Sequence, residues 1–101
     1  MKNIFNWVQV KDCRRFSKRC YTLPKKADDG LYLLLQDFGE PEIFPFSKFS
    51  PVSNDAFRIR FVDVFEIAGT FNDYQLYITV SKSNTELWPE IEDRISLWVS
   101  R

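Results

Sequence analysis

Residues 57–80 read FRIRFVDVFEIAGTFNDYQLYITV and contain the clearest pattern of the chain. Apolar side chains fill the odd positions from 57 to 71, with the exceptions of Asp63 and Gly69, while Arg58, Arg60, Glu66 and Thr70 lie at even positions. Because successive side chains of a strand point to opposite faces, this alternation predicts a half-buried β-strand. A straight strand of this length would measure about 50 Å, so we expect a bend at Gly69 or between Phe61 and Val62.

Asn72 and Asp73 follow this stretch and suit the two-residue turn of a β-hairpin. With that turn, four pairs of residues face each other: Phe71 and Tyr74, Gly69 and Leu76, Ile67 and Ile78, Phe65 and Val80. A register shifted by one residue would instead place Glu66 and Gln75 on the buried face. The pattern therefore predicts the register as well as the strands.

Residues 84–100 predict a C-terminal amphipathic helix. Apolar residues recur there with the 3.6-residue period of one helix face, namely Leu87, Trp88, Ile91, Ile95, Trp98 and Val99. Proline is tolerated only in the first helical turn, so Pro89 predicts that the regular helix begins near Trp88 or Pro89.

The remaining segments complete an α+β fold with one domain over residues 1–101. Residues 4–10 and 31–35 are interpreted as strands, the latter a buried one. Residues 40–55 hold three prolines and three phenylalanines, which predicts an extended loop or an edge strand. We therefore expect an antiparallel sheet of four or five strands with the C-terminal helix packed on one face.

Residues 11–22 fit two interpretations. As a helix, they place Cys13, Phe16 and Cys20 on one face, with Asp12 as N-cap and Pro24 as stop signal. As a strand, the same residues show poor alternation. We favour a short basic helix after the first strand, and the strand remains the alternative.

The composition excludes several classes of function. The chain contains no histidine, three glycines and two cysteines, which leaves no His-based catalytic triad, no Gly-rich phosphate loop and too few ligands for a structural zinc site. We therefore predict a protein that is not an enzyme and that uses no metal and no cofactor. Two cysteines, no apolar stretch behind residues 1–3 and no long apolar run favour a reduced, cytoplasmic protein without a membrane partner.

The charges of the chain are divided unevenly. Basic and acidic residues balance at 14 each, but the first 26 residues hold eight of the basic and one of the acidic residues. Such a basic segment can contact phosphates, so nucleic-acid binding is the alternative function. Its candidate residues are Lys11, Arg14, Arg15, Lys18, Arg19, Lys25 and Lys26. The competing interpretation is that the two parts of the chain neutralise each other in the fold.

Aromatic residues make up 17% of the chain and support the leading hypothesis. Interfaces are enriched in aromatic residues and arginine, so we expect a small non-enzymatic binding protein: an inhibitor, adaptor or accessory subunit with another protein as its partner. The candidate partner-binding residues are Phe44, Phe46, Phe49, Arg58 and Arg60. The phenylalanines have a competing role as a cover for the core, and the arginines could instead pair with Glu66 or Asp55.

Overall fold

Six antiparallel strands and two α-helices make up the computed structural model, which describes residues 6–101. The strands are β1 (Asn6–Asp12), β2 (Phe16–Thr22), β3 (Glu40–Phe44), β4 (Ala56–Phe61), β5 (Phe65–Thr70) and β6 (Gln75–Ser81), and the helices are α1 (Asp29–Leu35) and α2 (Leu87–Val99). The sheet order is β1-β2-β6-β5-β4-β3. The α+β class is confirmed, with six strands instead of the expected four or five. The first two residues of the strand predicted at 4–10 lie outside the described residues.

Strands β4, β5 and β6 form the meander that the alternation predicted. Gly69 pairs with Leu76, Ile67 with Ile78 and Phe65 with Val80, as expected from the Asn72–Asp73 turn. The bend expected at Gly69 or between Phe61 and Val62 is a complete break in the strand, because a tight turn over residues 62–64 directly follows Phe61 and divides the stretch into β4 and β5. Phe61 pairs with Phe65 across that turn. Because these positions are separated by an even number of residues, the odd-numbered residues of both strands lie on the same face of the sheet. The sequence pattern is therefore the same as that of one continuous strand. Asp63, the polar exception among the odd positions, lies exposed in this turn with φ 65°.

Both helices pack on the same face of the sheet, and the hydrophobic core lies between the helices and that face. The sheet contributes Tyr21, Phe57, Ile59, Phe65, Ile67, Leu76, Ile78 and Val80 to this core, and the helices contribute Leu31, Leu35, Trp88, Ile91, Ile95 and Trp98. Helix α2 begins at Leu87, with Pro89 in its first turn, close to the predicted start.

The strand predicted at residues 31–35 is wrong, because these residues belong to α1. Asp28 caps the helix, and its Oδ1 accepts hydrogen bonds from the Leu31 backbone N at 3.0 Å and from Trp98 Nε1 at 2.8 Å. Leu31 and Leu35 are buried one helical turn apart, whereas Leu33 between them is exposed. A short run of leucines carries too little periodicity to distinguish this arrangement from a strand.

The basic helix predicted within residues 11–22 is also wrong. These residues form the end of β1, a turn and the whole of β2. Strand β2 pairs with β1 on one side and with β6 on the other, so sheet hydrogen bonds on both edges outweigh the local helical spacing. The change places Arg19 and Tyr21 on the face that the helices cover and Lys18 and Cys20 on the opposite face.

Replacing Gly69 by alanine tests the packing of the meander. A Cβ at this position would lie 2.7 Å from Phe57 Cζ and 2.8 Å from Leu76 Cδ1. We expect Gly69→Ala to lower the free energy of unfolding by about 2 kcal/mol, since overpacked cores cost 1–3 kcal/mol. Urea denaturation measures the change, and Thr70→Ala on the other face is the matched control, with an expected change below about 0.5 kcal/mol. Equal effects of the two substitutions would contradict this packing.

Candidate functional site

The face of the sheet opposite the helices is not covered by any described element, and we call it the open face. Cross-strand pairing places one row of side chains across all six strands of this face: Val8, Cys20, Tyr77, Ala68, Arg58 and Glu42. None of these residues belongs to the core on the helix side. Antiparallel sheets often keep one face in water, so the open face is available for contacts with another molecule.

A shallow apolar groove of about 330 Å³ crosses the open face. Its walls are the rings of Phe44, Phe46 and Tyr77, and its floor includes Ala56 and Ala68. The Phe44 and Phe46 rings stack with their centroids 6.1 Å apart and 13° between their planes. Phe46 remains 50% exposed and Tyr77 37% exposed. We call this feature the aromatic groove.

Arg58 lines the aromatic groove and is held in place by two contacts. Its Nη2 donates to Glu42 Oε1 at 2.5 Å, and its guanidinium carbon lies 5.3 Å from the centre of the Phe44 ring. The expected alternative partners were Glu66 and Asp55, and the ion pair with Glu42 corrects that expectation. Arg58 Nε is buried and has no hydrogen-bond acceptor among the described residues. The contacts with Glu42 and Phe44 order the arginine before any partner binds.

The structure brings three of the five predicted partner-binding residues together. Phe44, Phe46 and Arg58 line the aromatic groove. Arg60 is exposed on the same face but lies two residues further along β4, in register between Glu40 and Glu66. Phe49 is 83% exposed and lies outside the groove. None of the three phenylalanines covers the helix-side core, contrary to their competing interpretation.

The loop that carries Phe46 is fastened by Asp55. The carboxylate Oδ1 accepts hydrogen bonds from Ser47 Oγ at 2.7 Å and from the Ser47 backbone N at 3.0 Å. These bonds favour the charged form, so they hold the pKa of Asp55 below its ordinary value of 3.8. The carboxylate thereby fixes Ser47 and, through it, the neighbouring Phe46.

Acidification should loosen this loop. A lowered carboxylate pKa in the folded state stabilises the fold above pH 3.8, and that contribution is lost as the pH falls through the lowered value. We expect the Ser47 amide resonance to move towards a disordered position in step with the Asp55 carboxyl resonance, with a midpoint below 3.8. A pH titration by NMR measures both signals. An Asp55 midpoint above 3.8, or a Ser47 signal that ignores it, would contradict the contact.

Tyr77 is the groove residue that the sequence analysis missed. The predicted register already placed Ile78 on the buried face, so its neighbour Tyr77 had to point to the other face, beside Ala68. The contact with the Cys20 thiol raises the pKa of Tyr77, which keeps its hydroxyl protonated. A large aromatic residue on the exposed side of a central strand was therefore a usable signal.

The predicted nucleic-acid residues do not form one surface. Lys11, Arg14, Arg15 and Lys18 surround the β1–β2 turn, whereas Lys25 and Lys26 follow the opposite end of β2, roughly 20 Å away by the length of the strand. Lys25 Nζ lies 4.7 Å from the centre of the Trp98 ring. The basic segment is thus split into two separate groups, in which Lys18 and Lys25 are half-buried, and Arg19 belongs to neither.

Arg19 lies on the helix side of β2, between two tryptophan rings. Its guanidinium carbon is 3.8 Å from the ring centres of both Trp7 and Trp88. Its Nη1 donates to Tyr21 Oη at 3.1 Å and to Glu92 Oε2 at 3.4 Å, and the Tyr21 hydroxyl donates to the same carboxylate at 2.5 Å. Arg19 is a structural link between β1, β2 and α2, so its place among the nucleic-acid residues is corrected.

Truncation of Arg19 should destabilise the fold. Its side chain is 20% exposed, and removing it leaves two tryptophan faces and Glu92 without their cation. We expect Arg19→Ala to lower the free energy of unfolding by about 2 kcal/mol. Urea denaturation measures this, with Lys26→Ala as the matched control, expected to change it by less than about 0.5 kcal/mol. An Arg19→Ala protein as stable as the Lys26→Ala protein would contradict the structural role.

Two further observations concern residues 6–101. No helix there is long and apolar enough to cross a membrane. No cluster of three or more cysteine, aspartate or glutamate side chains in that range is arranged to hold a metal ion.

Comparisons of the chain with protein-family models, curated proteins and solved structures found no match. The open face therefore has to be interpreted from its own geometry.

Proposed function

We propose that the protein is a small non-enzymatic binding protein that presents its open face to another protein, as an inhibitor, adaptor or accessory subunit. The aromatic groove is the observation that carries this proposal. It offers exposed aromatic rings beside an ordered arginine, the residue types that dominate binding energy at interfaces. The partner-binding residues are those predicted, namely Phe44, Phe46, Phe49, Arg58 and Arg60, with Tyr77 added.

The groove is prepared for binding before a partner arrives. The Phe44–Phe46 stack and the Arg58–Glu42 ion pair fix three of the side chains that line it, so little side-chain freedom is lost on association. An aliphatic or aromatic side chain that fills the groove would gain about 1.5–3 kcal/mol from burial of its apolar surface. One such anchor with its surrounding contacts is typical of protein–protein interfaces.

Nucleic-acid binding by the β1–β2 turn is the second candidate. Lys11, Arg14, Arg15 and Lys18 support it, because three of these cations, Lys11, Arg15 and Lys18, lie close to the half-buried ring of Phe16. A nucleic acid that continued from this turn across the open face would meet acidic residues. Glu66 on β5 and both glutamates of β3 would repel its phosphates. A protein partner therefore fits this face better. Free thiols at Cys13 and Cys20 suit the cytoplasmic location that is part of the proposal.

Substitution of the groove residues tests the proposed function. The immobilised wild-type protein is used to capture binding partners from a lysate of its source cells. We expect Phe46→Ala and Tyr77→Ala to abolish this capture, because each substitution deletes a groove wall. Quantitative mass spectrometry of the retained proteins measures the loss, which should be about tenfold or more. Leu33→Ala is the matched control, since Leu33 is an exposed apolar residue on α1, outside the groove.

Two outcomes would contradict the proposal. One is a set of retained proteins that both groove variants leave unchanged while circular dichroism shows them folded. The other is tight binding of a labelled oligonucleotide that weakens steeply with salt and is lost when Lys11, Arg14, Arg15 and Lys18 are reversed in charge. The second outcome would move nucleic-acid binding to first place.

A further inference from the structure

Two lysines lie directly opposite each other on the open face. Lys11 of β1 pairs with Lys18 of β2, just after an irregularity between Gln9 and Lys11. The two side chains border a shallow cavity of about 240 Å³ whose other walls include Phe16 and Thr79. Like charges placed opposite each other in an antiparallel pair destabilise it. We call this cavity the lysine pocket.

No carboxylate among the described residues forms an ion pair with either lysine. Asp12 is next to Lys11 in sequence but pairs with Ser17 on the other face, where its Oδ1 binds Lys82 Nζ at 2.7 Å. The hydrogen bond with Lys82 lowers the pKa of Asp12, so the carboxylate stays charged and faces Lys82. Arg15 adds a further cation, 5.7 Å from the centre of the Phe16 ring. The lysine pocket is therefore a local excess of positive charge.

The lysine pocket adjoins the aromatic groove. Lys18 Nζ lies 5.3 Å from the centre of the Tyr77 ring, and Tyr77 is itself a wall of the groove. Tyr77, Cys20 and Val8 stand on three successive strands. Two strand spacings separate the groove from β1, or about 10 Å. One extended segment can reach both features.

The other side of the groove carries charges of both signs, two arginines and three glutamates. Arg58 is neutralised by Glu42, and Arg60 lies in register between Glu40 and Glu66. The open face is thus positive at the lysine pocket and has one more negative than positive charge at its other end. A partner that matches it has negative charge confined to one side of an apolar anchor, whereas a nucleic acid carries phosphates along its whole length.

We propose that the partner binds through an acidic protein segment, which places an apolar side chain in the aromatic groove and carboxylates in the lysine pocket. This inference rests on the proposed function and specifies its partner. An extended chain advances about 3.3 Å per residue, so the carboxylates lie about three residues from the apolar anchor.

Peptide titration of the 101-residue chain tests the inference. The probes are three synthetic peptides of about twelve residues in extended form. All carry a central Leu-Phe anchor, and the positions about three residues away hold Glu, Gln or Lys. Spectra of the ¹⁵N-labelled protein report affinity and binding site. We expect the Glu peptide to bind about tenfold more tightly than the Gln peptide, to shift the amides of Lys18 and Tyr77, and to weaken with salt.

Charge reversal supplies the matched variants. The Lys11→Glu, Lys18→Glu double variant should lose the advantage of the Glu peptide and retain Gln-peptide binding, while Lys26→Glu, remote from the pocket, should behave as wild type. Equal affinity for Glu and Gln peptides would overturn the acidic partner and leave the groove in place. Failure of all three peptides to shift groove amides would contradict both the inference and the proposed function. Tighter binding of an oligothymidine at Lys18 would overturn the inference in favour of nucleic acid.

Discussion

The fold depends on one asymmetry, which is that both helices pack on the same face of a six-stranded sheet. Residues of one parity from β4 and β5 meet α1 and α2 in a single core, as the contact of Tyr32 with Phe57 at 5.7 Å illustrates. Because both helices lie on that face, no described element covers the other, which stays in water. Everything proposed about function follows from the side chains left on that uncovered face.

Arg19 shows how the covered face constrains the charges of the chain. A cation on that face needs partners, and Trp7, Trp88 and Glu92 provide them. The cost is that Arg19 is withdrawn from any ligand. The remaining basic residues then divide by strand geometry into the group near the β1–β2 turn and the pair that follows β2. The first 26 residues do carry an excess of positive charge, yet only part of it lies on the open face.

Local patterns predicted the parts of the fold in which the sequence is locally consistent. The β5–β6 register and α2 follow from alternation, a turn signal and helical spacing within single segments. Residues 31–35 and 11–22 were misassigned because their outcome depends on distant partners: the Asp28 cap is shared with Trp98, and β2 is held by β6. In the site, Phe44, Phe46 and Arg58 could be chosen by residue type, but their meeting with Tyr77 required the sheet order, which no local pattern contains.

The most direct test of the uncovered face is a measurement of solvent access to side-chain methyl groups on both sides of the sheet. A soluble gadolinium chelate added to methyl-labelled protein relaxes the methyl groups that it can approach. The structure predicts strong relaxation at Ala56 and Ala68 on the open face and protection of Ile67 and Ile78 beneath the helices. Protection of Ala68 equal to that of its neighbour Ile67 would contradict an open face, and with it the site that the face is proposed to carry.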